Sequence, residues 1–149
     1  MLLGGIPPVT ARLGPSWSYQ EIFERSELVV IATFLSTKDT DERSTLTDVE
    51  PPIKVIGVTT EFEVQLVLKG SKDIKRFRLH HYRFENAGDA TWVNAPQLIR
   101  LPTASRDGVH YGGHSTFLMF LIKEADGRYA PATGQTDPAF FSVRDLTCG

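Results

Sequence analysis

The sequence has a single cysteine, no large excess of either charge and no long apolar run. One cysteine cannot form an internal disulfide, and a chain of 149 residues is long enough to be stabilised by a hydrophobic core instead. The 16 Lys and Arg and 18 Asp and Glu residues give a net charge of −2, which argues against a globally basic nucleic-acid binder and a polybasic membrane binder. The longest apolar run, residues 117–122, is far shorter than the roughly 20 residues that span a bilayer, so no membrane span is expected.

The first residues lack the pattern of a secretory signal. Residues 1–3 are apolar, but no basic residue precedes them and Gly4 follows, whereas a signal peptide has a basic start and about 7–15 apolar residues. Three prolines within the next dozen residues disfavour regular structure. We therefore expect residues 1–17 to form an extended arm and residues 18–149 to form a single domain.

A short helix is predicted directly after this arm. Ser18 and Glu21 have the Ser-x-x-Glu spacing of a capping box, in which each side chain accepts a hydrogen bond from the other residue's backbone N–H. Tyr19, Ile22 and Phe23 then share one face at helical spacing. The pattern predicts a helix over about residues 19–26.

Most of the remaining pattern is typical of β-strands. Apolar residues occupy every second position from Val58 to Leu68, which indicates a half-buried antiparallel strand. Residues 70–73 form a predicted turn, and residues 74–84 alternate again, so the two strands should form a hairpin. Residues 28–35 and 115–122 are rich in apolar residues at successive positions, as expected of strands covered on both faces.

The rest of the chain is predicted to contain loops and shorter strands. Residues 38–52 are polar and end in two prolines, so we expect a solvated loop there. Asp126-Gly127 predicts a hairpin turn, because this pair tolerates positive φ. Three shorter strand candidates lie at 97–101, 128–133 and 140–143. One short helix and six or seven strands indicate an all-β fold, a small β-barrel.

The alternation also predicts which side chains form the barrel core. Inward positions are those that share a face with the aromatic and branched residues of the alternating strands. The expected core consists of Val30, Phe62, Val64, Leu66, Phe77, Leu79, Phe117, Met119 and Tyr129.

Three stretches carry a resemblance to a known family. They are Ser-Glu-Leu-Val-Val-Ile-Ala-Thr at 26–33, Phe-Glu-Val-Gln-Leu-Val-Leu-Lys-Gly at 62–70, and Phe-Leu-Met-Phe-Leu at 117–121 followed by Asp-Gly-Arg-Tyr at 126–129. In this order they resemble uncharacterised bacterial proteins, many of them exported, whose barrel is similar to the OB-fold of the metalloproteinase-inhibitor and netrin modules. The resemblance covers about residues 18–144.

The resemblance implies an OB-like barrel and an extracytoplasmic location, periplasmic or secreted, but no activity. The inhibitors of that class use an N-terminal Cys to chelate the zinc of the protease. This chain begins Met1-Leu2 and has no early Cys, so that mechanism is not carried over. No functional residue is transferred from the family.

One concentration of charge suggests a binding surface. Basic residues cluster between residues 69 and 83, with aromatic residues close by. Sheet surfaces of OB-like barrels bind oligonucleotides or oligosaccharides with such groups. Glu61 and Glu63 on the preceding strand would neutralise part of this charge, so a solvated strand face is the alternative interpretation. The candidate binding residues are Arg76, Arg78, His80, Tyr82 and Trp92.

The histidines provide a weaker alternative. His110 and His114 flank Tyr-Gly-Gly, which does not favour the helix that would place two imidazoles on one metal. A metal site that combines His80 with His110 and His114 is geometrically possible, although polar surface histidines are the simpler interpretation. The spacing from Gly108 to His114 mimics a phosphate loop, but His stands where Lys belongs and a predicted strand follows.

These observations favour a non-catalytic binding module that recognises a protein or an extracellular polymer. No nucleophile, metal or cofactor motif is convincing, so no cofactor is expected. Two alternatives remain open at this point: a metal-assisted hydrolase that uses the loop histidines, and a barrel that binds oligonucleotides or other polyanions. The balanced charge makes nucleic acid the less favoured partner.

Overall fold

The structure, a computed structural model, describes residues 17–47, 50–86, 88, 98–99, 101, 116–136 and 141–146. These residues contain one helix and six strands. They are α1 (Tyr19–Arg25), β1 (Leu28–Leu46), β2 (Ile53–Lys69), β3 (Arg76–Phe84), β4 (Thr116–Lys123), β5 (Tyr129–Pro131) and β6 (Val143–Asp145). The expected N-terminal arm lies, up to residue 16, outside the described residues, so the predicted domain division stays a prediction.

Five of the strands close a ring. The strand order is β1-β2-β3-β5-β4-β6, and β1 also pairs with β4. The β3–β5 pair is parallel and the other pairs are antiparallel. The first residues of β1 pair with β4 on one side and with β2 on the other, which joins the two ends of the sheet. The predicted fold class, all-β with one short helix, is confirmed, and the ring has an OB-like arrangement.

The helix forms where its capping box predicts. The backbone N–H of Glu21 donates to Ser18 Oγ (3.1 Å), and that of Ser18 donates to Glu21 Oε1 (3.3 Å). Ile22 is buried against Val29 and Phe120, so α1 packs on the outside of the ring. At the other end of α1, Lys69 Nζ donates to two backbone carbonyls of the last turn. A cation there satisfies acceptors that have no helical partner.

Phe62 lies at the centre of the core. Its ring stacks on that of Phe77 with centroids 5.3 Å apart and meets Phe117 edge-on at 5.9 Å. Six of the predicted core residues are buried: Val30, Phe62, Phe77, Leu79, Phe117 and Met119. Val64 and Tyr129 are partly buried and pack against the same cluster. The alternation therefore identified the inward face of β3 and of most of β2.

The prediction for Leu66 is wrong, because a β-bulge interrupts β2. Ile31 pairs with Leu66 and Ala32 pairs with Val64, so Gln65 is an extra residue without a partner in β1. An extra residue reverses the inward and outward positions beyond it. Consequently Leu66 is 51% exposed, and Val67, which is 7% exposed, turns into the core instead.

The polar segment 38–52 is also corrected, since most of it is strand. β1 continues to Leu46 and pairs with β2 from Ile53 onward, as a hairpin that extends beyond the ring. Its polar side chains face solvent, while Leu46 and Ile53 lie in a second apolar cluster with Tyr82. Of the other strand candidates, the described part of 97–101 contains a bridge between Leu98 and Thr136, and the last two shift to β5 and β6.

We predict that Phe62→Ala destabilises the protein by about 3–5 kcal/mol, because it removes the ring around which the aromatic core packs. Urea denaturation measures this loss. Leu66→Ala on the same strand is the control and should cost less than about 1 kcal/mol, since that side chain is exposed. Equal losses of unfolding free energy for Phe62→Ala and Leu66→Ala would contradict the β-bulge that turns Leu66 outward.

Candidate functional site

A β-bulge in β1 forms one wall of the site. Asp39 pairs with Val58 and Arg43 pairs with Ile56, so residues 40–42 face Gly57 alone. Thr40 Oγ1 donates to the carbonyl of Gly57 (2.8 Å) and fixes the bulge against β2. A side chain on Gly57 would place its Cβ 2.8 Å from the Cβ of Glu42. Glycine at this position is therefore what lets Glu42 cross β2 toward β3.

Glu42 meets His80 of β3, and a second carboxylate meets the same ring from the opposite side. His80 Nε2 lies 2.7 Å from Glu42 Oε1, and His80 Nδ1 lies 2.9 Å from Glu124 Oε1. Glu124 follows β4 directly, in the turn toward β5. Only a doubly protonated imidazolium donates to two ionised carboxylates at once. We call this group of three residues, Glu42, His80 and Glu124, the His80 clamp.

The surroundings of His80 favour its charged form. Burial alone would lower the pKa of His80, but the hydrogen bond and charge of Glu124, with the charge of Glu42, outweigh it, and the pKa is raised above its usual value of 6.5. The Tyr82 hydroxyl donates to the other oxygen of Glu42 (2.6 Å). Burial and this bond raise the pKa of Tyr82, which therefore stays a neutral donor. The clamp is a closed arrangement in which each donor has its acceptor.

An open cleft of about 630 Å³ lies beside the clamp on the outer face of the sheet. We call it the outer cleft. Its lining comes from β1, β2, β3 and the β4–β5 turn: Ser36, Lys38, Thr40, Glu42, Thr59, Glu61, Arg78 and Arg128. The guanidinium of Arg128 is held in place, because it donates to Asp126 (2.8 Å) and to Thr59 Oγ1 (2.9 Å). A second depression of about 380 Å³ shares Glu61 and Arg78 and adds Arg76 and Lys123.

The charges in the cleft are unequally paired. Arg76 reaches Glu61 across the strands at 3.5 Å, which confirms the cross-strand pairing expected for these rows. Glu42 shares the single positive charge of His80 with Glu124. By contrast, no hydrogen bond or ion pair links the side chain of Arg78 or Lys38 to the part of the chain that the structure describes. Two cations are therefore left to face solvent or a ligand.

The predicted binding residues separate into two groups. Arg76, Arg78, His80 and Tyr82 all lie on the outer face of β3, as the period of two predicts. Only the two arginines are exposed, however. His80 is 7% exposed and Tyr82 is 4% exposed, since Glu42 covers both, so of these four candidates the two arginines are the ones that a ligand can reach directly. Trp92 lies outside the described residues.

Of the three histidines in the metal hypothesis, His80 lies among the described residues, and its contacts do not support a metal site. Both ring nitrogens of His80 already face carboxylates, and the two carboxylates lie on opposite sides of the ring. Among the described residues no three His, Cys, Asp or Glu side chains are grouped so that they could hold a metal ion. His110 and His114 lie outside those residues.

His81, next to His80 in sequence, is in a very different environment. Its side chain points into the ring, where Nε2 lies 2.7 Å from Thr60 Oγ1, which in turn lies 2.8 Å from Thr37 Oγ1. Its Nδ1 has no hydrogen-bond partner within the described part of the chain. Burial, with the charge of His80, lowers the pKa of His81 to about 4, so the ring is neutral at pH 7. The pKa values of these adjacent histidines, on opposite faces of β3, are thus shifted in opposite directions.

Sequence reasoning missed several residues of the site: Lys38, Glu42, Glu124 and Arg128. Lys38 and Glu42 were placed in a loop, and nothing local to Glu124 signals a partner on β3. One signal was available, since Gly57 interrupts an apolar β-branched run, and a glycine in a strand often marks a bulge or a close approach.

The chain matches no protein-family model and no curated protein. Within the described residues, no helix has the length and apolar character needed to cross a membrane. The geometry and chemistry of the outer cleft are therefore the basis on which its role is assigned.

We predict that the clamp makes stability depend on pH above 6.5, the ordinary pKa of a histidine. The pKa of His80 is raised in the folded protein, so its stabilising contribution is complete below the ordinary value of 6.5 and is lost as the pH rises through the raised value. The titration of His81 falls on the acid side of this window. The free energies of unfolding of wild type and His80→Gln, measured as a function of pH, should therefore converge as the pH rises. A constant difference between the two would contradict a charged clamp.

Gly57→Ala should open the clamp without replacing a charged residue. The new methyl overlaps the side chain of Glu42, so we expect a loss of about 1–3 kcal/mol in unfolding free energy. The pH dependence assigned to His80 should weaken as well, because Glu42 is pushed away from the ring. Gly88→Ala is the matched control, since a Cβ there meets no atom within 4 Å. If both alanine variants behave like wild type, the close approach at Gly57 is incorrect.

Proposed function

We propose that this chain is a non-catalytic binding module and that the outer cleft is its binding site. The observation that carries the proposal is the pair of unpaired cations, Arg78 and Lys38, which face the same open cleft from β3 and β1. The cleft lies on the outer face of the second and third strands and beside the β4–β5 turn, which is where OB-like barrels bind extended ligands.

Among the described residues, the His80 and Tyr82 side chains that border the outer cleft are already engaged in hydrogen bonds. A general base or acid must reach the substrate with a free nitrogen or oxygen. Both nitrogens of His80 face carboxylates, and the hydroxyl of Tyr82 donates to Glu42. These contacts support a role in which the clamp shapes the cleft and the neighbouring cations bind the ligand.

The stability of the fold gives no reason to keep the cations unpaired. An exposed ion pair contributes only about 0–1 kcal/mol, and an unpaired surface cation contributes less. Charges that do not stabilise the fold are available for a partner of opposite charge. We therefore propose an anionic partner, a protein or an extracellular polymer, and, following the family resemblance, an extracytoplasmic location.

The test uses dextran sulfate as a generic polyanionic probe, with binding measured by isothermal titration calorimetry. We expect wild type to bind near 0.01 M ionic strength, where the Debye length is about 30 Å, and to lose affinity near 1 M, where it is about 3 Å. The double variant Lys38→Gln/Arg78→Gln should bind about tenfold more weakly, with an unchanged melting temperature.

Lys54→Gln, an exposed cation of β2 outside the cleft, is the control and should bind like wild type. The proposal is overturned if wild type does not bind the probe at low ionic strength. It is equally overturned if the double variant and Lys54→Gln bind alike.

A further inference from the structure

We infer that the ligand of the outer cleft is an acidic polysaccharide, a chain of hydroxyl-bearing sugars that carry carboxylate groups. This inference rests on the proposed function and names the class of partner. It depends on three features of the lining: the row of cations, the hydrogen-bonding groups between them, and the lack of an exposed aromatic ring among the described lining residues.

The cations extend along a path longer than a single small anion. Lys38, Arg78 and Arg128 line the outer cleft, and Arg76 and Lys123 line the depression that continues from it past Glu61. Arg76 and Arg78 are separated by two residues of one strand, about 7 Å. A ligand that satisfies both depressions therefore needs several anionic groups along an extended chain.

The lining also contains groups that a pure polyanion cannot use. Glu61 stands between the two depressions, and only one of its oxygens, Oε1, faces Arg76. A carboxylate there repels a ligand that offers only anions, but it accepts a hydrogen bond from a sugar hydroxyl. The hydroxyls of Ser36 and Thr59 add donors and acceptors nearby. A ligand with both hydroxyl and anionic groups matches this mixture.

Recognition of single-stranded nucleic acid depends largely on stacking of bases on exposed rings. Among the described lining residues the aromatic side chains are Phe77 and Tyr129. Phe77 is buried in the core, and Tyr129 packs on it edge-on with centroids 5.8 Å apart. Phe77 offers no free face for a base and Tyr129 is only partly exposed, so a ligand that does not depend on base stacking fits the described lining better than an oligonucleotide does.

The experiment compares four polymers that separate charge from hydroxyl groups. Polygalacturonate carries both, its methyl ester carries hydroxyls without charge, poly-L-glutamate carries charge without hydroxyls, and oligo-dT is a single-stranded nucleic acid. We expect wild type to bind polygalacturonate at least about tenfold more tightly than each of the other three at equal ionic strength.

Glu61→Ala gives the sharper result, because the two ligand classes should respond in opposite directions. The variant loses a hydroxyl acceptor, so polygalacturonate should bind several-fold more weakly. It also loses an anion from the cleft, so poly-L-glutamate should bind more tightly. Glu63→Ala removes the same charge from the same strand face outside both depressions, and it should move both affinities in the same direction.

The outcomes separate this inference from the proposed function. If Glu61→Ala strengthens binding of both charged polymers, or if poly-L-glutamate or oligo-dT binds wild type as tightly as polygalacturonate, the inference is overturned. Binding of dextran sulfate that depends on Arg78 would then still support a binding module. If wild type binds none of the charged polymers and no dextran sulfate, both are wrong.

Discussion

The outer face of this protein depends on one imidazolium held between two carboxylates. Glu42 arrives from a bulge of β1 and Glu124 from the β4–β5 turn, while His80 belongs to the strand between them. Removal of the charge on the ring would leave two partly buried carboxylates facing an uncharged group, which is costly. Because the bulge and the turn also supply walls of the outer cleft, the same ring that binds both carboxylates sets the shape of the cleft.

The two faces of the sheet differ in their contribution to stability. On the inside, Phe62 joins residues from four strands into a packed aromatic cluster. On the outside, charged side chains alternate with these apolar ones and add little to folding. Arg76 and Arg78 are therefore free to change without loss of the core, whereas Phe77 between them is not.

The features that were predicted from the sequence are those that depend on near neighbours. The capping box fixed the start of α1, and the period of two assigned the faces of β3. The errors arose where pairing with a distant strand decides the outcome. Gln65 is an extra residue only in relation to β1, and Glu42 belongs to a site only because Gly57 lets it cross to β3. The two members of each such pair are too far apart in sequence for a local pattern to include both.

The adjacent histidines carry a further consequence for the alignment of β3. His80 needs its charge to satisfy two carboxylates, whereas His81 is accommodated among Thr60 and the core only as a neutral ring. A slip of β3 by one residue would exchange the faces of the two rings, since successive side chains point to opposite sides. In either direction of slip only one of the two environments would receive a histidine, because Leu79 or Tyr82 would occupy the other position. Either the two carboxylates of the His80 clamp or the hydroxyl of Thr60 would then lose its histidine partner, so the two adjacent rings together favour one register of β3.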